Sequence, residues 1–228
     1  QVLSIFELVP DIDLNIMQQG QDLYDVTSRV LVSMRDVLAA ERPDIVLVHG
    51  DTTTTFATSV AAFYAGIPVG HVEAGLRTYN LSAPFPEEFN RQAAGLVAAF
   101  HFCPTERSRS NLLNEGKAEQ DIYITGNTVI DALYWVLNKI DIDNQARSLF
   151  EEKLRIALGF DFHRERFVLI TGHRRENFGS GFLNICEGIK TTAKKNPGVH
   201  FVYPVHLNPN VLQPVNEILS GLNNVHLI

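Results

Sequence analysis

Asp51, Glu73 and Glu87 each stand just beyond a short apolar run or a proline-set entry, and His173, Arg174, Arg175 and His206 take comparable places later in the chain. Carboxylates and imidazoles can act as general acids and bases, whereas Arg forks and backbone N–H groups grip phosphate oxygens. In open α/β sheets ligands bind outside the carboxyl ends of the strands, so polar residues directly after apolar runs are where chemistry is expected.

Asp51 lies in His-Gly-Asp-Thr-Thr-Thr-Thr at 49–55, Glu73 in His-Val-Glu-Ala-Gly-Leu-Arg at 71–77, and Glu87 in Pro-Phe-Pro-Glu-Glu-Phe-Asn-Arg at 84–91. Each has a plainer alternative. Asp51 would serve as a helix N-cap worth about 1 kcal/mol. Glu73 would pair locally with Arg77, and Glu87 would sit at a helix start for dipole reasons alone. Later, Gly-His-Arg-Arg-Glu-Asn-Phe-Gly at 172–179 offers His173, Arg174 and Arg175 to an anion, with surface pairing to Glu176 as the alternative. Tyr-Pro-Val-His-Leu-Asn-Pro-Asn at 203–210 places His206 after another apolar run.

The elements that must hold these residues read as βα units. Val/Ile-rich runs at 45–49, 68–72, 100–103 and 122–125 predict strands alternating with helical patterns, and 167–171, 200–203 and 225–228 predict a second series. Leu23, Val26, Val30, Met34, Val37 and Leu38 recur at helical spacing before Pro43. A further short helix is expected at 2–8, with others near 181–195 and 210–219. Residues 138–166 are mixed and charged and predict at most one amphipathic helix, around 147–158. Two Rossmann-like domains are therefore expected, at 1–140 and 167–228, joined by 141–166. Both ends read as cut, with the second half too short to complete its fold.

Composition narrows the classes. A net charge of −7 without a basic run argues against nucleic acid. No apolar run reaches membrane-spanning length and no signal peptide is evident, so a cytoplasmic location is expected. Cys103 and Cys186 lie apart in apolar stretches and read as buried thiols, and no metal or cofactor motif is present.

Six strings, namely HGDTTTT at 49–55, GHVEAGLR at 70–77, PEEFNR at 86–91, TGNTVIDAL at 125–133, TGHRREN at 171–177 and YPVHLNPNV at 203–211, together resemble the bacterial non-hydrolysing UDP-N-acetylglucosamine 2-epimerases. The resemblance covers nearly the whole chain. It implies a two-domain fold of glycosyltransferase-B type with UDP in the cleft, a homodimer, and interconversion of UDP-N-acetylglucosamine with UDP-N-acetylmannosamine for cell-surface polysaccharide. Carried over by motif, Asp51, Glu73 and Glu87 surround the sugar, His173 lies by diphosphate and sugar, His206 belongs to the UDP site, and Arg174 and Arg175 are anion contacts. Gln21 corresponds to a contact of an activating second nucleotide sugar, although Gly20 stands where such segments can carry Arg. The family's G-T-R-P-E loop and S-G-G-x-Q-E-E segment are absent from the sequence, so little or no turnover is expected from these 228 residues alone. Three other readings remain: a hydrolysing relative, a glycosyltransferase of the same architecture, and a UDP-sugar binding module without catalysis.

Overall fold

The computed structural model describes residues 2–172 and 179–228. The chain divides into two compact units, Gln1–Leu137 and Asn138–Ile228. In the first, β1 (Val46–His49), β2 (Val69–Val72), β3 (Phe100–Cys103) and β4 (Ile122–Ile124) form a parallel sheet in chain order. The helices between them are α3 (Thr53–Tyr64), α4 (Glu87–Val97) and α5 (Glu106–Asn114), preceded by α1 (Val2–Ile5) and α2 (Leu23–Glu41) and followed by α6 (Thr128–Ile142). The second unit continues with α7 (Asn144–Leu158), β5 (Phe167–Leu169), α8 (Ser180–Lys195), β6 (His200–Tyr203), α9 (Pro209–Leu219) and β7 (Val225–Leu227), its three strands again parallel and in chain order.

Local chemistry explains where the helices begin. Asp22 and Asp25 form a reciprocal capping box at the start of α2, each side chain accepting from the other's backbone N–H at 2.9 and 3.1 Å. The apolar stripe of α2 then buries Val30 and Leu38, and Leu38 joins Val48, Ala61, Ala62 and Val69 in one core cluster. Small residues on α3 let that helix lie close to the sheet. In the second unit Phe182, Cys186, Phe201, Tyr203, Val211 and Leu219 form the corresponding core.

Every expected strand is present, each within one or two residues of its predicted bounds. Between 138 and 166 the expectation of at most one helix fails, because α6 runs on to Ile142 and α7 begins two residues later. The charged residues there mark exposed faces, and Leu158 and Phe160 still pack with Val202 of β6. Cys103 and Cys186 are buried, and burial pushes the Cys103 thiol up to about 11.

Candidate active site

Parallel register sets the height of the first two carboxylates. His49 is paired with Val72, and Gly50 N–H donates to Val72 O at 2.9 Å, which carries the ladder one residue beyond β1. Gly50 has φ +70°, and a Cβ there would lie 3.1 Å from Glu73 Oε2, so the Glu73 carboxylate rests against the Gly50 backbone. Asp51 follows directly. It does not cap α3: that role falls to Thr52, whose hydroxyl accepts from Thr55 N–H at 3.1 Å. Asp51 is free for an ion pair, with its Oδ2 2.9 Å from Arg91 Nη2.

Glu73 does not pair locally with Arg77 in the manner of the plainer alternative. Arg77 instead forms a two-pronged pair with Glu115, at 2.7 and 2.9 Å. The Glu73-Ala74-Gly75 turn is fixed from below, because a Cβ at Gly75 would meet Ser108 O at 2.2 Å and Asn111 Nδ2 donates to Gly75 O at 2.9 Å.

The first turn of α4 supplies the third carboxylate and the supports of the first. Glu87 is partly exposed in that turn. Asn90 Nδ2 donates to Asp51 O at 2.9 Å, while Arg91 holds the Asp51 side chain. Helical spacing puts Glu87, Asn90 and Arg91 on one face, turned toward the loop after β1. Burial raises the pKa of Asp51 above the ordinary carboxylate range; the Arg91 charge opposes that rise and Glu87 reinforces it. Asp51 thereby keeps its proton to somewhat higher pH than an ordinary aspartate.

Glu88, next in the chain, is fully buried and accepts from Thr78 N–H at 3.0 Å, Tyr79 N–H at 2.9 Å and Gln92 Nε2 at 2.8 Å. Burial alone would raise its pKa, but those hydrogen bonds and Arg91 outweigh it and hold the carboxyl low. It keeps its charge to lower pH than an ordinary glutamate and shapes the loop. The sequence reading passes over Glu88, Asn90 and Arg91, which support this end of the sheet; the i, i+3, i+4 spacing from Glu87 is the available signal for Asn90 and Arg91.

In the second unit Tyr203 is buried and its hydroxyl donates to Gly172 O at 2.5 Å, anchoring the residue before His173. His173, Arg174 and Arg175 lie outside the described residues. His206 is exposed beyond the carboxyl end of β6, and its Nδ1 accepts from Asn208 N–H at 3.1 Å. Gln21 sits in a separate loop, its Oε1 accepting from Gln18 N–H at 2.8 Å. The structure thus brings Asp51, Glu73 and Glu87 to one end of the first sheet and places His206 at the equivalent end of the second.

A family model described as UDP-N-acetylglucosamine 2-epimerase matches residues 1–228. The chain is 54% identical over 230 residues to the UDP-N-acetylglucosamine 2-epimerase of Escherichia coli, covering all of this chain and 60% of that protein. A crystal structure of the UDP-GlcNAc 2-epimerase of Neisseria meningitidis bound to UDP-GlcNAc superposes with a TM-score of 0.93 at 51% identity, covering 100% of this chain and 60% of the other. The α,α-trehalose 6-phosphate synthase of Burkholderia multivorans, 13% identical with a TM-score of 0.51 over 93% of this chain and 52% of its own, shares the fold alone, which is of glycosyltransferase-B type.

Proposed function

This chain belongs to the UDP-N-acetylglucosamine 2-epimerase family, and from that premise we propose that its protein inverts C2 of UDP-N-acetylglucosamine to give UDP-N-acetylmannosamine, without hydrolysis. The observation that carries the reading is the placing of Asp51 and Glu73 on adjacent parallel strand ends, one keeping its proton to somewhat higher pH than an ordinary aspartate and the other lying against the Gly50 backbone.

The chemistry demands such a pair. The C2 hydrogen is not next to a carbonyl carbon, so a carboxylate of pKa near 4 cannot remove it unaided. Departure of UDP from C1 leaves an oxocarbenium-like centre that acidifies C2–H. Loss of that proton gives 2-acetamidoglucal and UDP. Protonation of C2 from the opposite face and return of UDP to C1 complete the inversion, with the proton and the leaving group both restored. Asp51, Glu73 and Glu87 supply the acid and base functions on the two faces, His173 acts with them beside the sugar and diphosphate, and His206, Arg174 and Arg175 hold UDP as leaving group and nucleophile. No redox cofactor enters this route.

The substrate follows that of the Neisseria protein, whose structure holds UDP-GlcNAc. Gln21 is proposed as a contact for a second, activating nucleotide sugar. A cytoplasmic homodimer supplying sugar for surface polysaccharide accords with this reading. The described residues contain no helix long and apolar enough to cross a membrane. Separation of the nucleotide products by anion-exchange chromatography tests the proposal on the full-length protein. UDP-N-acetylmannosamine is expected; free N-acetylmannosamine with matching UDP would mean that water captures the intermediate.

A further inference from the structure

Three successive carbonyls, from the last residue of β1 into the loop after it, each accept a hydrogen bond from a side chain on a different element. Thr55 of α3 donates to His49 O at 2.6 Å, His71 of β2 to Gly50 O at 2.8 Å, and Asn90 of α4 to Asp51 O at 2.9 Å. Of these donors His71 is ionisable, and the route above gives it no part.

Its surroundings make it an odd core residue. His71 is 1% exposed, level with Val48 on one neighbouring strand and His101 on the other. A carbonyl oxygen only accepts, so the ring proton sits on Nε2 and Nδ1 is a bare lone pair. Among the described residues Nδ1 finds no hydrogen-bond partner. Filling this space needs only an aliphatic side chain, which would bury no unpaired nitrogen. The Nε2–H bond is what a histidine adds here. Burial keeps the ring neutral, its pKa down at about 4, so that bond persists unchanged across the working range.

We propose that His71 is a positioning residue for the C2 chemistry: as a neutral Nε2–H donor it fixes the Gly50 carbonyl and so sets where Asp51 stands relative to Glu73. Gly50 is the link between the two acids. Its N–H is tied to Val72 O, a Cβ added to it would lie 3.1 Å from Glu73 Oε2, and its carbonyl carbon begins the peptide that carries Asp51. With the carbonyl released, the Gly50–Asp51 peptide loses one of its tethers, and glycine's wide φ/ψ range lets it turn. Asp51 would then shift against the Arg91 and Asn90 tethers.

This rests on the epimerase reading, and the test separates the two. In the full-length protein, His71→Gln places an amide N–H where Nε2 stood, and His71→Met has similar length without a donor. Steady-state kinetics with UDP-N-acetylglucosamine are combined with deuterium incorporation at C2. Glutamine is expected to keep kcat within about threefold, and methionine to lose about 100-fold in kcat with KM nearly unchanged, the scale of a 1 Å misplacement. A methionine variant with native kcat, or a glutamine variant that falls as far as methionine, overturns the proposal. Should the methionine variant fail to fold, His71→Asn, whose amide ends short of the Gly50 carbonyl, takes its place with the same expected loss. Absence of C2 exchange in the unmodified protein overturns the epimerase reading itself; exchange there beside an active donor-less variant overturns only the role of His71.

Discussion

The loops that close the strands of the first sheet and those that close the second are held in different ways. After β1, the carbonyls of residues 49–51 are bound by side chains from α3, β2 and α4, and the Asp51 carboxylate by Arg91. After β6, Pro204, His206 and Leu207 are exposed, and His206 is tied to the backbone two residues on. A long-range side-chain anchor there is Tyr203 to Gly172. Proton transfer needs its groups fixed before the substrate arrives, whereas a nucleotide can organise the residues that grip it. Under the function proposed above, the first unit carries the chemistry and the second grips UDP, and the firm anchoring of the loop after β1 suits the first of these tasks.

The largest expected effect comes from removing a proton carrier. Asp51→Asn should cut turnover by about 10²–10⁴ while leaving thermal stability unchanged or higher. The sign follows from its raised pKa: ionised Asp51 detracts from stability as pH rises above the ordinary carboxylate range, and an amide escapes that cost. Calorimetry beside kinetics checks both halves. A large loss of stability would show that Asp51 is structural, and the contrast would fail.

Arg91→Gln should come next. Losing the charge that opposes the rise moves the Asp51 pKa further up, so whichever limb of the kcat/KM profile Asp51 governs should shift to higher pH. A profile with neither limb shifted would detach Asp51 from both.

The first sheet should also be the more acid-sensitive of the two, although burial lowers the pKa of His226 in the second as well. His71 and His101 titrate near 4 against an ordinary 6.5 because burial disfavours their charged forms. Their stabilising effect is complete above 6.5 and is lost as pH falls toward 4, on the order of 3 kcal/mol for each. Unfolding followed by probes in each unit between pH 7 and 4 should find the first unit giving way earlier, and His101→Gln should reduce that sensitivity.

Tyr203→Phe should have the smallest effect, about 1 kcal/mol for the lost bond to Gly172. It should appear in KM for the nucleotide sugar more than in kcat. The opposite split would place chemistry, and not only binding, on the second unit's loops.

The strands and the positions of Asp51, Glu73 and Glu87 were legible because period, turn residues and strand-end placement are local signals. What was not legible depends on three-dimensional neighbours. Glu87 and Glu88 are adjacent and chemically identical, yet one is partly exposed and the other fully buried beneath three donors. Arg77 sits near Glu73 in sequence but pairs with Glu115, brought to it by α5. His71 reads as part of an apolar strand until the register shows that it reaches the Gly50 carbonyl. Asp51 has the residue type and position of a cap, and only Thr52's backbone geometry shows which of the two fills that role.

Proton NMR of UDP-N-acetylglucosamine incubated in D2O with the full-length protein tests the central claim most directly, through the C2 and anomeric signals. The account predicts deuterium at C2 together with a growing UDP-N-acetylmannosamine signal. An unchanged spectrum from a folded protein that binds UDP would contradict it.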